Sequence, residues 1–161
     1  MNLRDIPIKT MEGTETSLAN FDDKTLLIVN VASRCGLTPQ YATLEQLQQK
    51  YGDRGLQVLG FPSNQFLQEL RSNAAIQEFC SINYGITSPI FEPIRVNGRH
   101  EHPIYTQLKK TPDSEGKAGR VKWNFEKFLL GPSGEIHRFR SRTTPDAPEV
   151  ISASENSLPP R

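Results

Sequence analysis

The sequence predicts an α/β fold: a central mixed sheet flanked by helices, preceded by an N-terminal β-hairpin. Three observations predict it. Apolar runs of strand length lie at 25–31 and 56–61, each followed by a segment with helical spacing. Two further strand-like runs, 122–130 and 135–140, flank the turn residues Gly131-Pro132-Ser133-Gly134.

In chain order, 4–18 reads as a hairpin, with Ile6 and Ile8 alternating and Glu12-Gly13 at its turn. The polar connection 20–23 leads to the first core strand, 25–31. Thr38 then suits a helix N-cap, with Pro39 at the first helical position. Tyr41, Leu44, Leu47 and Tyr51 share one face of a helix over 39–50, and Gly52 and Gly55 stop it. The second core strand spans 56–61, ended by Pro62. Residues 61–73 are irregular, and Ser72 or Asn73 caps a helix through Ile76, Phe79 and Cys80 that closes at Tyr84-Gly85. A third strand is predicted over 90–96, entered through Ser88-Pro89, with a turn at Asn97-Gly98. Pro103 opens a short helix, 111–120 is a polar loop, and the last hairpin follows. A tail from Pro145 holds a short helix at 149–155 and frays at Pro159-Pro160.

The chain's 161 residues suit a single domain with a sizeable core. A net charge of +1 leaves no whole-protein field that would select nucleic acid or a membrane surface. The start, MNLRDIPIKT, has no signal-peptide pattern, so the cytoplasm is the expected compartment. No apolar run is long enough to span a bilayer. Two cysteines and three scattered histidines offer no zinc-ligand spacing, and neither a metal nor a cofactor is expected.

The first strand, short loop and helix organise this order. Cys35 sits in that loop, ahead of the helix, where unpaired N–H groups and a partial positive charge favour a thiolate. Arg34 beside it acts in the same sense. A lone cysteine at a strand end is more often a small buried hydrophobe. A cysteine after a strand and heading a helix suits the thioredoxin fold, but the second redox position is Thr38, giving C-x-x-T.

Three segments settle the comparison. NVASRCGLTPQY (30–41), FPSNQF with Gln68-Glu69 (61–69) and KWNFEKFLL (122–130) resemble, in order and spacing, the signature segments of the glutathione peroxidase family. The similarity runs over 4–145 and is nearest the cysteine-containing, monomeric members that work with thioredoxin. The resemblance implies a peroxidase in which Cys35 is the peroxidatic cysteine and Gln68, Trp123 and Asn124 complete a catalytic tetrad. Indole and amide N–H groups are neutral donors, able to favour a thiolate or a departing oxygen anion without titrating. Cys80 matches the resolving cysteine. The implied cycle oxidises Cys35 to a sulfenic acid, condenses it with Cys80 and returns both thiols through thioredoxin, with glutathione the weaker donor. The substrates implied are hydrogen peroxide and organic or lipid hydroperoxides, because the short loop before Trp123 matches the monomeric branch with its open site.

The match has local departures. One residue, Leu67, stands before Gln68-Glu69 where the family has two, Leu70-Arg71 replaces Pro-Gly, and Ser63 replaces a common cysteine. Arg34, Lys117, Arg120, Lys122 and Lys127 are read either as a basic rim or as a solvated charged face, and Arg138, Arg140 and Arg142 as charges guarding an edge strand. His100, His102 and His137 are assigned no role. The alternative function is a peroxide sensor that relays oxidation to a partner protein by thiol–disulfide exchange.

Overall fold

The computed structural model describes residues 2–160; Met1 and Arg161, both inside the expected single domain, lie outside the described residues. Its elements in order are β1 (Pro7–Lys9), β2 (Glu15–Ser17), β3 (Thr25–Val31), α1 (Gln40–Tyr51), β4 (Leu56–Pro62), α2 (Asn73–Tyr84), α3 (Pro103–Leu108), β5 (Lys127–Leu130), β6 (Ile136–Phe139) and α4 (Pro148–Asn156). β1 and β2 form the antiparallel N-terminal hairpin. The main sheet has the order β4-β3-β5-β6, with β3 parallel to β4 and antiparallel to β5.

β3 is buried at all seven positions, as its continuous apolar run requires of a strand covered on both faces. One face packs Leu26 and Ile28 with Leu59, Phe61, Phe128 and the α3 residues Ile104, Tyr105 and Leu108. The other packs Leu27 and Val29 with Tyr41, Leu44 and Leu47 of α1 and Ile76 and Cys80 of α2. Period-2 alternation therefore assigns each β3 side chain to one of two cores.

Several elements differ from expectation. The predicted strand 90–96 is an extended segment with single bridges, Ile90 to Gly60 and Phe91 to Thr10. Pro93 has no N–H to extend a ladder, so pairing stops there. Every described peptide bond is trans, that before Pro89 included. α1 runs through Gly52 into a 3-10 turn and ends at Gly55, whose φ of 99° is the left-handed conformation a glycine tolerates. Of the predicted run 122–130, only Lys127–Leu130 pairs as a strand. The C-terminal segment is packed: Val150 and Ser154 of α4 are buried. The Thr25 hydroxyl donates to Ser157 O, which holds the chain against β3 beyond the helix.

Candidate functional site

Cys35 lies at the C-terminal end of β3, in the turn that precedes α1. The turn is built from i→i+3 bonds, Thr38 N to Cys35 O at 3.0 Å and Tyr41 N to Thr38 O at 2.9 Å. Thr38 does not cap α1, whose N-cap position is Pro39 without a side-chain bond. Its hydroxyl instead accepts from Cys35 N at 2.9 Å and donates to Ala32 O at 2.9 Å, closing the cysteine loop on itself. The Leu37 N–H donates to Cys35 Sγ at 3.3 Å. The sulfur's local donor is thus a turn amide rather than the first turn of α1.

Two further segments, 61–73 and 122–130, converge on this turn. Gln68 O accepts from Arg34 N at 2.8 Å, pinning the 61–73 loop beside the cysteine. Glu69 is buried, and its Oε1 accepts from Ser33 N at 3.0 Å and Leu70 N at 2.8 Å. Burial pushes the Glu69 carboxyl up, against the pull of these bonds with Ser33 and Leu70. From 122–130, Asn124 Nδ2 donates to Gln68 Oε1 at 3.1 Å, joining amides 56 residues apart in the chain. Trp123 is 38% exposed, and its ring lies 5.1 Å from that of Phe66. Cys35, Gln68 and Asn124 are thereby brought into one bonded neighbourhood. Among the described residues, neither amide nor the indole donates to Sγ; that bond comes from Leu37.

Cys80 lies on the buried face of α2, and both cysteines are free thiols. Burial pushes the Cys80 thiol up, with the neighbouring Tyr41 hydroxyl opposing and Glu69 reinforcing the shift. Beside the cysteine turn is an open depression of about 750 Å³, lined by Arg34, Leu67, Glu69 and Arg71 among others.

Of the residues read as a basic rim, Arg34 alone lines this depression. Arg34, Lys117, Arg120 and Lys122 are exposed, but Lys127 is fully buried. Arg138 is no edge guard either: its guanidinium is buried against Glu126, Nη2 to Oε2 at 2.6 Å. His102, given no role, caps α3 by accepting from Ile104 N at 3.2 Å. Sequence reasoning also passed over Asn30, a polar residue inside an apolar strand, and that break in the run was its available signal.

A glutathione peroxidase family model matches residues 3–109. A glutathione peroxidase of Lactococcus lactis is 44% identical over 152 residues, covering 92% of this chain and 96% of that protein. The thioredoxin/glutathione peroxidase BtuE of Escherichia coli is 42% identical, covering 94% of each. The crystal structure of T. cruzi GPX1 superposes with a TM-score of 0.76 at 31% identity, over 98% of this chain and 96% of that one, and the fold is thioredoxin-like. By sequence and by shape alike, the chain belongs to the glutathione peroxidase family.

Proposed function

We propose that the protein is a thiol peroxidase that reduces hydrogen peroxide and organic hydroperoxides at Cys35, with Gln68, Trp123 and Asn124 as the groups around the reacting sulfur. The observation that carries this reading is the bond between Gln68 and Asn124, anchored through Gln68 O to the residue next to Cys35. The Cys35 thiolate attacks one peroxide oxygen and the O–O bond breaks. The sulfur becomes a sulfenic acid, and the other oxygen leaves with a proton as water or an alcohol. The Cys80 thiol then condenses with the sulfenic acid, forming a disulfide and releasing water. A reduced thioredoxin takes up the disulfide by exchange and is itself oxidised. The name of the E. coli relative, a thioredoxin/glutathione peroxidase, supports both thioredoxin and glutathione as donors.

Cys80 reacts from a buried position on an intact helix, so α2 opens for the condensation. Substrate approaches across the open depression lined by Arg34 and Leu67, and lipid hydroperoxides are among the substrates in this reading. The protein works as a cytoplasmic monomer in this reading.

The test is a peroxidase assay with each donor on the wild type, Cys35→Ser and Cys80→Ser. Cys35→Ser is inert with both donors. Cys80→Ser consumes one equivalent of peroxide and loses the thioredoxin-driven cycle. Full thioredoxin-driven turnover by Cys80→Ser rejects the resolving role. Slow, stoichiometric transfer of oxidation to a protein, without turnover, rejects the peroxidase in favour of a relay.

A further inference from the structure

Asn30 sits in the centre of the sheet, fully buried, between Val29 and Val31. An amide there without partners would cost on the order of 1–3 kcal/mol. It has partners, and all of them belong to one turn. On the β5 side the antiparallel ladder stops at the pair Val29 and Lys127, one residue short of Asn30. Beyond that point the chain bends round the Asn30 side chain. Asn30 Nδ2 donates to Trp123 O at 3.1 Å, Oδ1 accepts from Glu126 N at 3.1 Å, and Asn30 O accepts from Phe125 N at 2.7 Å.

The arc 123–126 needs such a grip. Phe125 has φ 63°, a left-handed conformation. That conformation costs a non-glycine residue about 1–2 kcal/mol. Lys127, itself buried, holds the same residue, Nζ donating to Phe125 O at 2.5 Å. With Trp123 O fixed, the indole and the Asn124 amide project from a set backbone, and Asn124 meets Gln68.

We propose that Asn30 is a positioning residue of the peroxidase reaction, its side-chain amide setting the backbone from which Trp123 and Asn124 reach the site. The inference rests on the peroxidase reading above and adds a residue that does not itself touch substrate. A valine would satisfy the strand and its packing; it would leave Trp123 O and Glu126 N without their partner.

The experiment compares Asn30→Ala and the isosteric Asn30→Asp with wild type, each alone and combined with Asn124→Ala. Asn30→Asp keeps an acceptor for Glu126 N–H and sets an oxygen against Trp123 O. The readouts are the second-order rate of Cys35 oxidation by hydrogen peroxide, thermal melting, and the emission and quenching of Trp123, the chain's single tryptophan. A folded Asn30 variant loses roughly 10–100-fold in oxidation rate, as expected for a misplacement of about an ångström near the chemistry. Its tryptophan becomes more quenchable, and it adds little to the loss already caused by Asn124→Ala. Wild-type oxidation and emission in a folded variant overturn the inference. Losses that multiply fully with Asn124→Ala overturn it too, and so does failure of both variants to fold, which assigns Asn30 to the core alone. Cys35→Ser keeps the two questions apart. If that variant still turns over peroxide, the peroxidase reading fails; if it is inert while Asn30 variants react normally, only the positioning role fails.

Discussion

Lys127 and Thr38 are the residues whose places differ most from what their types suggest. A lysine four residues past the tryptophan reads as surface charge, yet its Nζ donates to Phe125 O at 2.5 Å and Ser141 O at 3.0 Å inside the protein. Burial pushes its pKa down to about 7. An unfolded lysine titrates near 10.4, so between about pH 7 and 10.4 the unfolded chain holds a proton that the folded chain lacks. Folding therefore gains from this group as pH rises through that window, and below about pH 7 the burial penalty is at its full, constant value. Lys127→Met removes that gain: melting temperatures followed from pH 6.5 to 10 rise less steeply, or fall more, than in wild type. Identical slopes in the two proteins refute the assignment. Thr38 reads as a helix cap and acts instead as a clasp of the cysteine turn. Thr38→Val leaves Cys35 N and Ala32 O without their hydroxyl partner and destabilises by about 1–3 kcal/mol in denaturant titration. Thr38→Ser keeps the hydroxyl and recovers most of that loss.

α2 is the element whose stability matters to the proposed cycle. Of the two caps the sequence offers, Ser72 and Asn73, it uses Ser72, whose Oγ accepts from Ala75 N at 3.1 Å. It ends at Gly85, φ 57°, where a side chain would be strained even though the space is open. α1 buries Gln40, Tyr41, Leu44, Leu47 and Tyr51; α2 buries Ile76 and Cys80. A helix held by few buried side chains opens locally at low cost. Ser72→Ala and Gly85→Ala should each weaken α2 by about 1 kcal/mol. Amide exchange in 73–84 then quickens several-fold, and the Cys35–Cys80 disulfide forms faster after one equivalent of peroxide. A slower disulfide in either variant would remove helix opening from the cycle. The predicted strand 90–96 failed at this scale for a local reason, the missing N–H of Pro93. The long arm predicted from 122 failed for a distant one, because residues 123–126 wrap round Asn30 instead of pairing.

For the molecule as a whole, the connection from α3 to β5 is secured from within. Arg138 on β6 donates to Lys109 O, Thr111 O, Gly119 O and Arg120 O, at 2.6–3.2 Å, while pairing with Glu126. Arg140 ties the other Glu126 oxygen at 2.8 Å and Asp113 at 2.9 Å. One buried carboxylate and two arginines thus close the polar loop 111–120 over the sheet edge, just before Trp123. Removing one partner of a buried pair strands the other charge, so Arg138→Met should cost about 3–5 kcal/mol and lower the melting midpoint sharply. Replacing Glu126 and Arg138 together by apolar residues should cost less than the sum of the singles. A fully additive double variant shows that the pair acts as two separate loop anchors. Among the described residues, no helix is long and apolar enough to cross a membrane.

The sequence by itself determined β3, β4, α1 and α2, because hydrophobic period, caps and stop signals are local properties of the chain. It also identified Cys35, Gln68, Trp123 and Asn124 as one candidate set through three spaced segments. Only the tertiary structure decided what surrounds them: the Leu37 amide at the sulfur, the Gln68–Asn124 bond, the buried Lys127 and Arg138, and the grip of Asn30. Each of these depends on long-range approach or on burial. A polar side chain in a sequence carries no mark of whether it will face water or become the partner of a backbone group that the sheet leaves unpaired.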